Sequence, residues 1–181
     1  MATTKHTLVA LVDDHPGVLN RVASLFRRRG FNIDSIAVGQ SETPNISRMT
    51  IVVDGTNTSV EQVRKQLDKL IETVRVTDIS SENIVVRELA LFKVKTTSAN
   101  RSEVIQIVDI FRANIVDVSS DSLMVEVTGD EDKLSSLLKL LAVFGVKEVC
   151  RTGRIAMTRG IINDAGRRSS KQAEAAEDKV K

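Results

Sequence analysis

The chain has no tryptophan and no tyrosine, and only five phenylalanines among its 181 residues. A core with so few aromatics is filled chiefly by valine, isoleucine and leucine, side chains that favour sheet with amphipathic helices packed on it. The single cysteine, Cys150, excludes an internal disulfide and suits a reducing compartment. No apolar run approaches the roughly 20 residues of a membrane helix, and Met1 to His6 lacks the apolar stretch of a secretory signal. The expectation is a soluble, cytoplasmic protein. Charge of one sign is scarce too, since 26 basic residues against 24 acidic ones leave +2. Such a balance gives no electrostatic reason to expect nucleic acid or a membrane as partner.

Catalytic patterns are equally sparse. The two histidines, His6 and His15, fall toward opposite ends of one expected strand. There is no H-E-x-x-H, and no second cysteine could join Cys150 around a metal. The phosphate-binding and nucleophile-elbow glycine motifs are missing as well. Cys150 reads as an inert, partly buried thiol in a late strand, with no histidine near it in sequence. Asp13-Asp14-His15 is the densest polar cluster, yet three consecutive residues rarely converge on one ion. A strand end plus a helix cap explains them more simply. These absences favour a binding or regulatory module over an enzyme, with no metal and no cofactor of its own.

What is present is rhythm. A strand over 7–13 precedes a helix opened by Pro16 and Gly17, capped by Asp14 or His15, and closed by Gly30. Val18, Leu19, Val22, Ala23, Leu25 and Phe26 recur at helical spacing, and Arg27, Arg28 and Arg29 complement the dipole of the last turn. Strands follow over 32–38 and 49–54. A second helix carries Val60, Val63, Leu67, Leu70 and Ile71 on one stripe, and a strand over 74–79 ends the half.

The order then repeats. A strand spans 84–96, and Ser102 caps a helix with Val104, Ile105, Val108 and Phe111 on its apolar face. Strands near 115–118 and 122–128 come next. Gly129-Asp130 opens a helix bearing Leu134, Leu137, Leu138 and Leu141, and 146–157 is the last strand. Two βαββαβ units, 5–80 and 84–160, imply two α+β sandwiches, each an antiparallel sheet with two helices on one face. Units this small hold marginal cores, and their bare sheet faces and edges invite a second copy. A homodimer is the expectation. Residues 164–181 are too poor in large apolar groups to repay ordering and read as a disordered, charged tail.

One segment offers a binding chemistry. A free amino acid needs backbone N–H groups for its carboxylate, an oxygen for its ammonium and an apolar pocket for its side chain. In Asp13-Asp14-His15-Pro16-Gly17-Val18-Leu19 a helix start supplies the first and Asp14 the second, while Gly17 leaves the approach clear. Asn32 and Ile33 add an amide and an apolar wall. By themselves these residues also fit an ordinary turn.

A resemblance narrows the reading. That segment resembles the strand-to-helix signature of the ACT domain, an amino-acid-sensing βαββαβ module. Leu25-Phe26-Arg27-Arg28-Arg29-Gly30-Phe31-Asn32-Ile33-Asp34-Ser35-Ile36 is similar to the LF-x-x-RG-[YF]-NI-[ED]-SL stretch of acetohydroxyacid (acetolactate) synthase small subunits. Arg87-Glu88-Leu89-Ala90-Leu91, Ile110-Phe111-Arg112-Ala113-Asn114 and Arg151-Thr152-Gly153-Arg154-Ile155 extend the likeness through the second half.

The resemblance implies two ferredoxin-like βαββαβ sandwiches in tandem, an ACT domain followed by a second regulatory domain. It implies a homodimer whose ACT domains pair, with Asp14, Gly17 and Val18 of one subunit and Asn32 and Ile33 of its mate holding valine or a related effector. It implies a partner, the catalytic large subunit, which carries thiamine diphosphate, magnesium and FAD. A free-standing ACT sensor acting on another enzyme or a transcription factor is the rival. Some members carry Asn where this chain has Asp14, a departure that suits the effector's ammonium and repels its carboxylate.

Overall fold

The computed structural model describes residues 5–55 and 60–160. In chain order the elements are β1 (Lys5–Asp13), α1 (Val18–Arg29), β2 (Ile33–Gln40), β3 (Ile46–Asp54), α2 (Val60–Leu67), β4 (Thr73–Asp78), β5 (Ile84–Lys95), α3 (Arg101–Ile110), β6 (Asn114–Val118), β7 (Ser122–Gly129), α4 (Glu131–Ala142), β8 (Val146–Arg151) and β9 (Ile155–Thr158). Two antiparallel sheets result, ordered β2-β3-β1-β4 and β6-β7-β5-β8, with β9 added along β5. The fold is α+β, a ferredoxin-like sandwich twice over.

Period-two alternation decides which side of each sheet the helices cover. Leu8, Ala10 and Val12 of β1 and Met49, Ile51 and Val53 of β3 meet Val18, Val22, Leu25 and Phe26 of α1 and Val63 and Leu67 of α2. The second core repeats the scheme, with Ala90, Phe92 and Val94 of β5 and Leu123, Val125 and Val127 of β7 under Val104, Val108, Leu134, Leu137 and Leu141. Gly30, left-handed at φ 68°, ends α1. The Phe31 N–H then returns to the Phe26 carbonyl at 3.0 Å, closing the end of the helix on its own backbone.

The structure corrects several expectations. Gly17, not Asp14 or His15, stands at the N-cap of α1, and no side chain caps it. Asn100, not Ser102, precedes α3 and also makes no capping bond. The stripe through Ile71 fails, because α2 stops at Leu67 and Ile71 is 88% exposed. Cys150 is exposed on β8 rather than partly buried. His6 lies within β1, whereas His15 lies just beyond its end. The tail at 164–181 falls outside the described residues.

The last strand is the most informative correction. The run over 146–157 is broken into β8 and β9 at Thr152-Gly153-Arg154, with Gly153 at φ 81°. Both pieces run along β5, with Ala90 opposite Arg151 and Arg87 opposite Ile155. The first four residues of β5 thus pair with β9, and the remainder with β7 and β8. That extension covers the helix-free face of the first sheet. Val9 and Ile79 pack with Ala156, Ile84 and Val86 in a third cluster, and Thr7, Thr50 and Val52 on the same face are buried. The Arg48 side chain donates to the Ala156 carbonyl at 2.9 Å.

Charged groups seal the junction. Lys5 Nζ donates to Glu131 Oε1 at 2.7 Å and lies 3.2 Å from Asp34 Oδ2. Arg154 Nη2 holds the other Glu131 oxygen at 2.9 Å, and its Nη1 reaches Thr7 Oγ1 at 3.4 Å. The hydrogen bond from Lys5 holds the Glu131 carboxyl below its ordinary range, and the same bond raises the Lys5 ammonium.

Phe92→Ala, at the centre of the second core, is expected to cost about 3–5 kcal/mol in urea unfolding. Asp130→Ala removes the carboxylate that accepts from the Lys133 N–H at 2.9 Å and is expected to cost only about 1 kcal/mol. Because the Glu131 pKa is lowered in the folded chain, its stabilisation is present above the usual glutamate value and is lost as pH falls through the lowered one. Glu131→Gln is expected to flatten the stability curve in that acid window, measured by urea midpoints across pH.

Candidate functional site

The loop from Asp13 to Gly17 carries the chain from the end of β1 into α1. The Asp14 N–H donates to the Asn45 carbonyl at 2.8 Å, tying the loop to the β2–β3 turn. Gly17 then takes φ 97° and ψ −16°, a left-handed conformation that glycine adopts at little cost. The first helical bond of α1 runs from the Arg21 N–H to the Gly17 carbonyl at 3.0 Å. The N–H groups of Val18, Leu19 and Asn20 precede it and so lack partners inside the helix. A Cβ on Gly17 would meet nothing within 4 Å, so the space beside the glycine itself is open. Partial positive charge, free donors and clear space are what a carboxylate requires.

The other residues singled out in the sequence take distinct positions. The Asp14 side chain is exposed beside this mouth. The side chain of Val18 is 4% exposed and belongs to the first core, so its backbone N–H is the group it can offer. Asn32 is exposed, and Ile33 is half-buried against the first core at the start of β2. These two lie beyond the C-terminal end of α1. A helix of 12 residues is about 18 Å long at 1.5 Å per residue. One chain therefore brings Asp14, Gly17 and Val18 together at one end of α1, and Asn32 and Ile33 at the other. The two groups do not converge within it.

The topology shows how they could converge. Among the described residues β2 is an edge strand with one free side. Its Ile33 end lies by Asn32. Its Gln40 end leads into the turn at Asn45 that Asp14 touches. Were β2 to pair antiparallel with its copy about its own midpoint, Ile33 of each chain would lie beside Gln40 of the other and Asn32 toward the opposite Gly17.

Sequence reasoning missed the second concavity, a cleft of about 360 Å³ where the two sheets meet, lined by Lys5, Asp34, Glu88, Glu131, Arg151 and Arg154 among others. No spacing rule could have found it, because its charges come from segments far apart in the chain. In it Arg151 grips Glu88 through two bonds, of 2.8 and 2.6 Å. Among the described residues no group of three His, Cys, Asp or Glu could hold a metal ion, and no helix is long and apolar enough to cross a membrane.

Tandem ferredoxin-like units, the first with an open helix mouth beside a free sheet edge, define a protein of the ACT-containing class. The match to known families agrees: residues 8–75 fit the AHAS small subunit-like ACT domain, and residues 87–160 fit the small subunit of acetolactate synthase. A probable acetolactate synthase small subunit from Archaeoglobus fulgidus is 56% identical over 156 residues, covering 86% of this chain and 98% of that one. The acetolactate synthase small subunit of Mycobacterium bovis is 51% identical over 160 residues, 88% of this chain and 95% of that one. The crystal structure of the acetolactate synthase small subunit from Thermotoga maritima superposes with a TM-score of 0.80 at 45% identity, covering 87% of this chain and 99% of that one. The chain belongs to the acetolactate synthase small-subunit family.

Gly17→Ala places a methyl group in open space but in a left-handed backbone. It is expected to cost about 1–2 kcal/mol from that conformation alone, read as a lowered urea midpoint with an unchanged slope.

Proposed function

We propose that this chain is the regulatory subunit that activates an acetolactate synthase catalytic large subunit and makes it sensitive to feedback by a branched-chain amino acid, valine foremost. The observation that carries the reading is the open, uncapped start of α1 at Gly17 beside the free edge of β2, in a chain of this family. The working unit is a homodimer paired through β2. Each effector is held between Asp14, Gly17 and Val18 of one subunit and Asn32 and Ile33 of the other. The helix N–H groups receive the effector's carboxylate, Asp14 and the Asn32 amide oxygen receive its ammonium, and Ile33 flanks the aliphatic side chain. The Asp14 carboxylate favours a pose with the ammonium turned toward it and the carboxylate turned to the N–H groups.

Catalysis belongs to the large subunit, with thiamine diphosphate, magnesium and FAD bound there and no cofactor assigned to this chain. The dimer holds that partner in a competent arrangement. Effector binding favours a different packing of the two units of the small subunit, and activity falls. Such an effector shifts the equilibrium only by its difference in affinity for the two arrangements, typically about 1–3 kcal/mol. The cytoplasm is the proposed setting, in keeping with a single cysteine.

The test is acetolactate formation by the catalytic subunit, with and without this protein, across a valine titration. Stimulation that valine reverses is expected. Gly17→Asp sets a carboxylate where the effector's carboxylate would lie, and is expected to raise the inhibitory valine concentration about tenfold or more, a change of about 1.4 kcal/mol, with stimulation retained. Full valine sensitivity in that variant would move the site elsewhere. Amino-acid binding without any effect on acetolactate formation would favour a free-standing sensor.

A further inference from the structure

The candidate effector site leaves the charged junction at Lys5 unexplained, and the two are adjacent. Asp34 directly follows Asn32 and Ile33 in the chain. It is also the extra residue of a β-bulge, for Ile33 pairs with Val53 while Ser35 pairs with the neighbouring Val52. A bulge interrupts the ladder and re-aims the side chain it carries. Here that side chain faces Lys5, whose ammonium lies 3.2 Å from Asp34 and 2.7 Å from Glu131. One cation is thus shared by carboxylates from the two units.

The second unit answers at two points. Glu131 is the first residue of α4, so its carboxylate reports on the position of a helix whose Leu134 lies in the second core. The β8–β9 link rests directly on the bulge. A Cβ on Gly153 would stand 3.3 Å from Ser35 Cβ and 3.4 Å from the Ile36 carbonyl oxygen, and the Arg154 N–H points at Ser35 Oγ at 3.4 Å. The link has little room for a side chain at Gly153 and touches the residue next to the bulge through Arg154, so a change in the bulge reaches it. The ion pairs are part-exposed, which makes each of them weak as a clamp. They suit a shift between two arrangements instead.

We infer that this junction couples effector to partner: a ligand held at Asn32 and Ile33 reshapes the Asp34 bulge, redistributes Lys5 between Asp34 and Glu131, and changes how the second unit sits on the first. The inference rests on the effector site proposed above, and names the route by which that site acts. Lys5 and Glu131 lie downstream of the ligand rather than against it. Removing either one uncouples binding from response.

The experiment uses the full chain as Lys5→Met and Glu131→Gln, with Glu61→Gln as a control that breaks an exposed pair on α2 with Arg64. Calorimetry gives the affinity of each for valine, and titration onto the catalytic subunit gives partner affinity and activity with and without valine. Both variants are expected to bind valine within about twofold of wild type and to stimulate the partner normally, while the valine-induced change in partner affinity, about 5- to 150-fold for coupled sites, falls to about twofold or less. The control is expected to keep the whole response. Normal binding with a wild-type response in both variants would overturn the junction and leave the effector site standing. Loss of valine binding in both would place these residues in the site itself and overturn the relay. A wild-type chain that binds no valine, leucine or isoleucine would remove the effector site, and the relay with it.

Discussion

A four-stranded sheet with helices on one side has a second side to dispose of, and that constraint shapes how the described second half begins and ends. Val9, Val52 and Ile79 point away from α1 and α2. Exposed, such a patch drives association or aggregation. The chain covers it with its own second half: β5 begins before its own sheet does, β9 turns back along it, and Ala156 closes the cluster. The division of the last strand, the left-handed Gly153 and the ion pairs around Lys5 all accompany the placing of the β5–β9 pair on the first sheet.

The same cover distinguishes the two ends of the first unit. Beside Gly17 a side chain would meet nothing within 4 Å. At Ser35 the backbone of the second unit is in contact, with the Arg154 N–H donating to Ser35 Oγ at 3.4 Å. β2 runs between these regimes, with one edge bonded to β3 and the other free among the described residues. A strand so placed can meet another molecule on its free edge and its own second unit near its start. That position, rather than any single residue, makes the first unit suited to signalling.

Much of this was legible in the sequence, and the failures have physical reasons. Alternation of Leu8, Ala10 and Val12 against helical recurrence of Val18, Val22 and Leu25 gave the order of elements, because a buried face must repeat with the period of its backbone. Ile71 misled because an apolar residue extends a periodic pattern whether or not the helix continues, and here α2 ends at Leu67. The break at Gly153 was hidden inside a run of strand-forming residues, since the contact that demands it comes from Ser35, more than a hundred residues earlier. Gly17 stands out in the sequence as a glycine at a helix start, but its left-handed backbone and the missing side-chain cap needed coordinates. The charged junction was illegible for the same reason as the break: salt links between distant segments follow no local rule.

The continuity of β5 sets a limit on modularity. By sequence pattern the chain is two beads on a string, and residues 80–83 look like the string. By packing it is closer to a hinge pin passed through two leaves, since one strand supplies the lid of the first unit and the spine of the second. Gene fission at that link would release a first half with an uncovered apolar face. A rearrangement that transplants the sensing unit to another enzyme must carry a replacement lid with it, from the host or from the four residues at the start of β5 and their β9 partner.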